Sequence, residues 1–142
     1  YTLPNGAFQK AQIGQIKIPE QIRTIGERAF KQSKITSIVL PGVQTLQKDC
    51  FASILTLKEI DAPFVTSIAY GALDCYNLKT LKLTANANID VDASVFVSLE
   101  TRNVALWLNE SAKSQVETLY WKSIPWKSIT FVDNDGSVVE TI

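Results

Sequence analysis

The amino-acid sequence predicts a repeat solenoid, mainly β, in which about five parallel strands stack coil upon coil and a non-repeating cap closes the C-terminal end. Three observations carry this prediction. Apolar side chains recur with a constant long period. A short run of alternating apolar and polar residues recurs between them in the same phase. Both patterns stop after Leu108.

The long period is set by the pairs Ala7-Phe8, Ala29-Phe30, Cys50-Phe51, Ala72-Leu73 and Val95-Phe96. Their second members lie 22, 21, 22 and 23 residues apart, and five residues before each stands an aliphatic: Leu3, Ile25, Leu46, Ile68 and Val91. A fixed period in this range is the mark of stacked repeats, each too small to bury its own apolar face. The length variation falls in the return segments, which tolerate insertion better than packed strands do.

The alternating run reads Ile35, Ile38, Leu40 and Pro41, then Leu57, Ile60, Ala62 and Pro63, then Leu78, Leu81 and Leu83. Ile13, Ile16, Ile18 and Pro19 fit the same frame earlier. Later, Thr101, Val104 and Leu106 fit it, with Trp107 in the proline slot. Apolar fourth and sixth positions between polar neighbours are the period-two signature of a half-buried strand. Stacked copies form a parallel ladder at about 4.8 Å per step, with the apolar residues turned to a shared interior. The proline ends each strand because it has no amide hydrogen to donate. The chain then bends and sends Phe8, Phe30, Phe51, Leu73 and Phe96 inward from the opposite wall.

Residues 1–108 are therefore expected to hold a truncated first unit and about four whole units of 21–23 residues, and residues 109–142 the cap. The cap is expected to contain a short helix between Asn109 and Trp121, with Ser114 and Glu117 spaced as a capping box and Val116, Leu119 and Tyr120 on one face. Ser128 to Val132 reads as a strand and Asn134-Asp135-Gly136 as a turn into a final hairpin. Leu3 and Phe8 belong to the second half of a unit, so more repeats or another domain are expected before Tyr1.

These residues resemble the BspA-like leucine-rich repeats of bacterial cell-surface proteins. Ile25-Gly26-Glu27-Arg28-Ala29-Phe30 matches that unit best, with Leu40-Pro41 in the next unit and Cys75 after Leu73. Gly26 is not repeated later, and Thr84 replaces proline in the fourth unit. The placing of Tyr120 and Trp126 before the last strand is similar to the family's C-terminal closure. The resemblance implies a right-handed leucine-rich-repeat coil, an extracellular or cell-surface location and an adhesive, protein-binding role.

Composition narrows the function further. Lys and Arg number 14 and so do Asp and Glu, so the chain lacks the basic footprint that nucleic acid requires. No apolar run approaches the ~18 residues of a membrane span. No charged-then-apolar leader opens the chain, so a targeting signal is expected to lie outside these residues. Histidine is absent, which removes Ser-His and Cys-His catalysis and the commonest metal ligand. Cys50 and Cys75 fall at core-type positions and read as inert buried thiols. No phosphate-binding glycine loop or serine elbow appears. The expectation is a non-enzymatic chain without cofactor or metal.

The candidate binding strip is the solvent face of the strands, their third and fifth positions: Gln15, Lys17, Ser37, Val39, Glu59, Asp61, Thr80, Lys82, Asn103 and Ala105. It reads equally as a solvated sheet face, with mixed charge and no aromatic anchor. Its span of about 24 Å gives a few hundred Å2, against roughly 800 Å2 per partner in a standard interface. Carboxylates such as Glu59 and Asp61 on an open face are expected to keep ordinary acidity. Trp107, Tyr120, Trp121 and Trp126 cluster near the end; most should fill the cap, with Trp107 and Trp121 as possible contacts and Trp121 the one expected at the surface. Asn86, Asn88, Asp90 and Asp92 alternate through the longest return segment, where calcium ligation is outweighed by a plain polar insertion. The function expected is protein–protein adhesion by a cell-surface or secreted module. The alternatives are glycan binding through the cap aromatics, or a spacer for another domain.

Overall fold

The computed structural model describes residues 1–86, 88–97 and 103–142. Two parallel ladders run along a solenoid with very little helix. Strands β1 (Thr2–Leu3), β2 (Thr24–Ile25), β4 (Thr45–Leu46) and β6 (Ser67–Ile68) pair in parallel, in the order β1-β2-β4-β6, and Ser67 bridges onward to Asp90. Strands β3 (Ser37–Val39), β5 (Glu59–Asp61), β7 (Thr80–Leu83) and β8 (Ala105–Asn109) form the second ladder. It continues through β11 (Ser128–Val132), also parallel, and ends on the antiparallel β12 (Val138–Thr141). The small antiparallel hairpin β9–β10 (Tyr120–Trp121 and Ile124–Pro125) stands apart.

The aliphatic column that precedes each aromatic by five residues is the apolar half of the first ladder: Leu3 opposes Ile25, Ile25 opposes Leu46 and Leu46 opposes Ile68. In the second ladder Ile38, Ile60 and Leu81 share one register. Their side chains meet in one continuous core that reaches from Ile18 to Phe131. Burial of apolar area of this kind, about 25 cal/mol per Å2, is what a single coil could not achieve alone.

The third wall carries the aromatics. Phe8 stacks on Phe30 and Phe30 on Phe51, each with ring centroids 5.4 Å apart. Leu73 continues the column, and Phe96 meets Trp126 edge to face at 5.7 Å. A backbone staircase fixes this spacing. Phe8 N–H donates to Ala29 O (2.7 Å), Phe30 N–H to Cys50 O (2.8 Å), Phe51 N–H to Ala72 O (3.0 Å) and Leu73 N–H to Val95 O (3.1 Å). Ala29, Cys50 and Ala72 have no exposed surface, which explains their small size beside each ring.

Two left-handed backbone positions bracket Phe8, Phe30 and Phe51, and one precedes Leu73. Two residues before each of these stand Gly6, Arg28, Asp49 and Gly71, with φ of 66°, 56°, 56° and 67°; two residues after each ring stand Lys10, Gln32 and Ser53, with φ of 61°, 60° and 58°. Glycine meets the first position without strain, whereas Arg28 and Asp49 hold a conformation that costs an L-residue about 1–2 kcal/mol. Gly26 answers a different need. A Cβ there would lie 2.5 Å from Leu3 O and 2.7 Å from Asn5 N, both backbone atoms, and 2.7 Å from Asn5 Oδ1, which folds across it to accept Glu27 N–H at 2.8 Å. Glu27, Lys48 and Tyr70 occupy the Asn5 place in later coils, so the side-chain part of this crowding belongs to Asn5 and Gly26.

Residues 109–142 differ from expectation in their helix. Glu110–Gln115 is a 3₁₀ helix whose N-cap is Asn109, with Asn109 Oδ1 accepting Ser111 N–H at 2.9 Å. Ser114 lies inside that turn and Val116 is already extended, so the Ser114–Glu117 capping box does not form. Val116 packs on the core while Leu119 and Tyr120 are exposed; the three share no buried face. The Ser128–Val132 strand and the hairpin that follows it are present as expected.

Candidate functional site

The open face of the second ladder carries two rows of side chains. Ser37, Glu59, Thr80, Ala105 and Ser128 align in one, and Val39, Asp61, Lys82, Trp107 and Thr130 in the other. Gln15 and Lys17 are exposed beside them on a segment that forms no strand. That segment joins the next coil through Lys34 N–H to Ala11 O at 3.1 Å and through Thr36, whose N–H and Oγ1 both donate to Gly14 O, at 2.9 and 3.4 Å.

The last full repeat needs correction by two residues. Leu106, not Val104, opposes Leu81; Leu108 opposes Leu83; and Ala105 and Trp107 take the third and fifth positions. Asn103 precedes the strand and leaves the strip, and Asn109 takes the proline slot, donating through Nδ2 to Thr84 O at 3.1 Å. Thr101, expected to open this unit, lies outside the described residues. A slip of two conserves which side chains face inward, and Val104, Leu106 and Leu108 are all apolar, so alternation alone could not fix the frame. The correction supplies the aromatic that the strip lacked.

Trp107 is half-buried and sits in a charged diagonal. Lys82 Nζ stands 4.8 Å from the Trp107 ring centroid and 3.5 Å from Glu59 Oε1. Lys82 is thereby held between a carboxylate and a π face on either neighbouring strand. Asp61 is half-buried, and that burial raises its pKa, opposed by Lys82 and assisted by Glu59. The expectation of ordinary acidity on this face is therefore wrong for Asp61, because the neighbouring side chains remove water from it.

The other aromatics are placed differently from expectation. Trp121 is only 5% exposed and Trp126 3%, whereas Tyr120 is 64% exposed. Lys122 and Ser123, both at positive φ, make the tight turn of the β9–β10 hairpin, and Trp126 Nε1 donates to Trp121 O at 3.2 Å. That turn folds Trp121 onto the core and turns Tyr120 out, so sugar stacking on Trp121 or Trp126 is excluded. The polar return segment has its own uses. Asn86 Nδ2 donates to Phe64 O at 3.1 Å, and Asp92 caps the 3₁₀ turn Ala93–Val95 through Ser94 N–H. No group of three metal-ligating side chains occurs among the described residues. Cys50 and Cys75 are free and buried, and burial raises both thiol pKa values. No helix among the described residues is long and apolar enough to cross a membrane.

The pattern describing the BspA type leucine rich repeat region matches residues 1–116 in six copies. Neither the curated proteins nor the solved structures compared with the chain gave a match. The coil length, the paired parallel ladders and the aromatic wall agree with that assignment, and the chain belongs to the BspA-type leucine-rich-repeat family.

Proposed function

We propose that this chain is a non-catalytic interaction module of a cell-surface or secreted protein, which binds a protein partner on the open face of its second ladder. Leucine-rich-repeat domains generally mediate protein interaction and are generally not enzymes. In this reading residues 1–108 supply the coils and residues 109–142 close them. The observation that carries it is Trp107, a half-buried aromatic at the centre of the face with Lys82 laid against it. Aromatic anchors ringed by polar groups dominate protein interfaces. Lys17, Ser37, Glu59, Asp61, Thr80, Lys82 and Ala105 form the surround.

A pull-down from surface-protein extracts, run beside a glycan array, tests the proposal. A partner captured by the native chain and lost with both Trp107→Ala and Lys82→Glu supports it. Glycan binding with no protein capture favours a carbohydrate ligand, and silence in both favours a spacer.

A further inference from the structure

A second surface lies along the edge where the strands of the second ladder end. Phe64 stands there 49% exposed, directly after Pro63, with a depression on either side. The first, of about 410 Å3, is lined by Glu20, Arg23, Pro41, Gly42, Gln44 and Phe64. The second, of about 520 Å3, includes Phe64, Ala85, Asn109, Asp133, Asn134 and Asp135.

The first depression is organised around a fixed guanidinium. Arg23 Nη1 donates to Glu20 O and, at 3.2 Å, to Gly42 O. Gly42 is glycine because a Cβ there would collide with that same nitrogen and that same carbonyl. The backbone on either side is pinned, with Gln44 N–H donating to Arg23 O at 2.7 Å and Thr66 N–H to Gln44 O at 2.9 Å. One nitrogen of the fork is therefore spent on positioning. Arg23 lines the depression and makes no ion pair among the described residues: the pairs there are Lys82–Glu59 and Lys113–Glu140. A guanidinium held this way is arranged for an oxyanion, and carboxylate is the commonest that it forks. Glu20 lines the rim, which disfavours ligands of dense negative charge such as phosphate.

The second depression has the opposite sign. Asp133 Oδ1 accepts Asp135 N–H and Ser137 N–H, both at 2.9 Å, which sets the turn and leaves the other carboxylate oxygen open. Neither Asp133 nor Asp135 has a cationic partner among the described residues. The edge thus reads cationic, aromatic, anionic from Arg23 across Phe64 to Asp133.

We propose that this edge binds an extended peptide segment that carries an acidic residue at Arg23, an apolar residue on Phe64 and a basic residue at Asp133 and Asp135. From the coil of Gly42 to that of Asp133 is four ladder steps, about 19 Å at 4.8 Å each, the reach of about six extended residues. An acidic monosaccharide could fill the first depression but would leave the second empty, and the opposed charge fixes the direction of a peptide.

The test is amide NMR titration of the intact chain with two capped hexapeptides, Asp-Ser-Leu-Ser-Ser-Arg and its uncharged form Asn-Ser-Leu-Ser-Ser-Gln, and with glucuronic acid alone. The first peptide should shift the amides of Gly42, Phe64 and Gly136 together and bind at least about fivefold more tightly than the uncharged one. Arg23→Gln should remove most of that preference and Phe64→Ser should weaken both peptides alike, with folding verified by circular dichroism; Phe64→Ser also guards against misfolding of the arginine variant. Trp107→Ala should leave it unchanged, which separates this edge from the sheet face. Equal shifts with both peptides, or none with either, overturn the proposal. Shifts at Gly42 with glucuronic acid but neither peptide overturn it in favour of an acidic sugar.

Discussion

Replacing Phe51 with alanine tests the stacking of the coils most directly. The ring has no exposed surface and lies stacked against Phe30, with Leu73 in the next coil. Truncating a fully buried phenylalanine costs about 3–5 kcal/mol, the removed transfer energy plus the cavity left behind. The backbone staircase on either side, through Phe51 N–H to Ala72 O and Phe30 N–H to Cys50 O, limits collapse into that cavity, so the upper half of the range is expected. Domains of this size are stable by about 5–15 kcal/mol. The variant should therefore lose about a quarter or more of its stability, and its melting temperature should fall by roughly 12–15 °C at about 3 °C per kcal/mol. Phe8→Ala supplies the comparison, because Phe8 is only partly buried and stacks on one side alone; about half the loss is expected. Phe51→Leu should cost less than about 1.5 kcal/mol, since leucine already fills this column at Leu73. Urea unfolding followed by circular dichroism measures all three. If Phe51→Ala costs no more than Phe8→Ala, the rings do not bear on one another as the 5.4 Å stack requires.

Other perturbations read other parts of the coil. Ser33 buries a hydroxyl with no hydrogen-bond partner, so Ser33→Ala should raise stability by about 1 kcal/mol in the same urea titration. Gly26→Ala places a methyl against Leu3 O and Asn5 and should cost about 1–3 kcal/mol, an amount that Asn5→Ala in the same chain should partly restore. Asp61 holds its proton more tightly folded than unfolded because of its burial, so the folded state binds the extra proton above the ordinary value of 3.8. Its ionisation therefore weakens the fold as pH rises through the raised value. Asp61→Asn should gain stability relative to the native chain near neutral pH, and melting curves of the two should converge below the ordinary carboxylate range.

Much of the coil was legible because burial imposes a spacing. Phe8, Phe30 and Phe51 repeat at one phase, and each must meet the next at a ladder step, so the period reported the architecture directly. Ser128 to Val132 was legible for the same reason, as an alternation ending in a turn. What escaped was set by features with no periodic trace. The two-residue frame of Ala105 and Trp107 was invisible because the inward face is apolar at every alternate position. The burial of Trp121 depends on a turn at Lys122 and Ser123, residues with no glycine or asparagine to announce positive φ. The 3₁₀ geometry of Glu110–Gln115 starts from the cap at Asn109, whereas the capping-box spacing pointed to Ser114 and Glu117. The Arg23 and Phe64 edge joins residues from different coils, and only the stacking brings them together.

The left-handed positions that bracket Phe8, Phe30 and Phe51 also decide where this protein can be handled. The bends there are made by the backbone, so the side chains of Gln32 and Ser53 are exposed on a wall separate from the sheet. Both native thiols are buried and held in their protonated form. A cysteine introduced at Ser53 would thus be the one that maleimide chemistry finds, and a molecule tethered through it to a sensor would keep both its sheet face and its proline edge free for analyte.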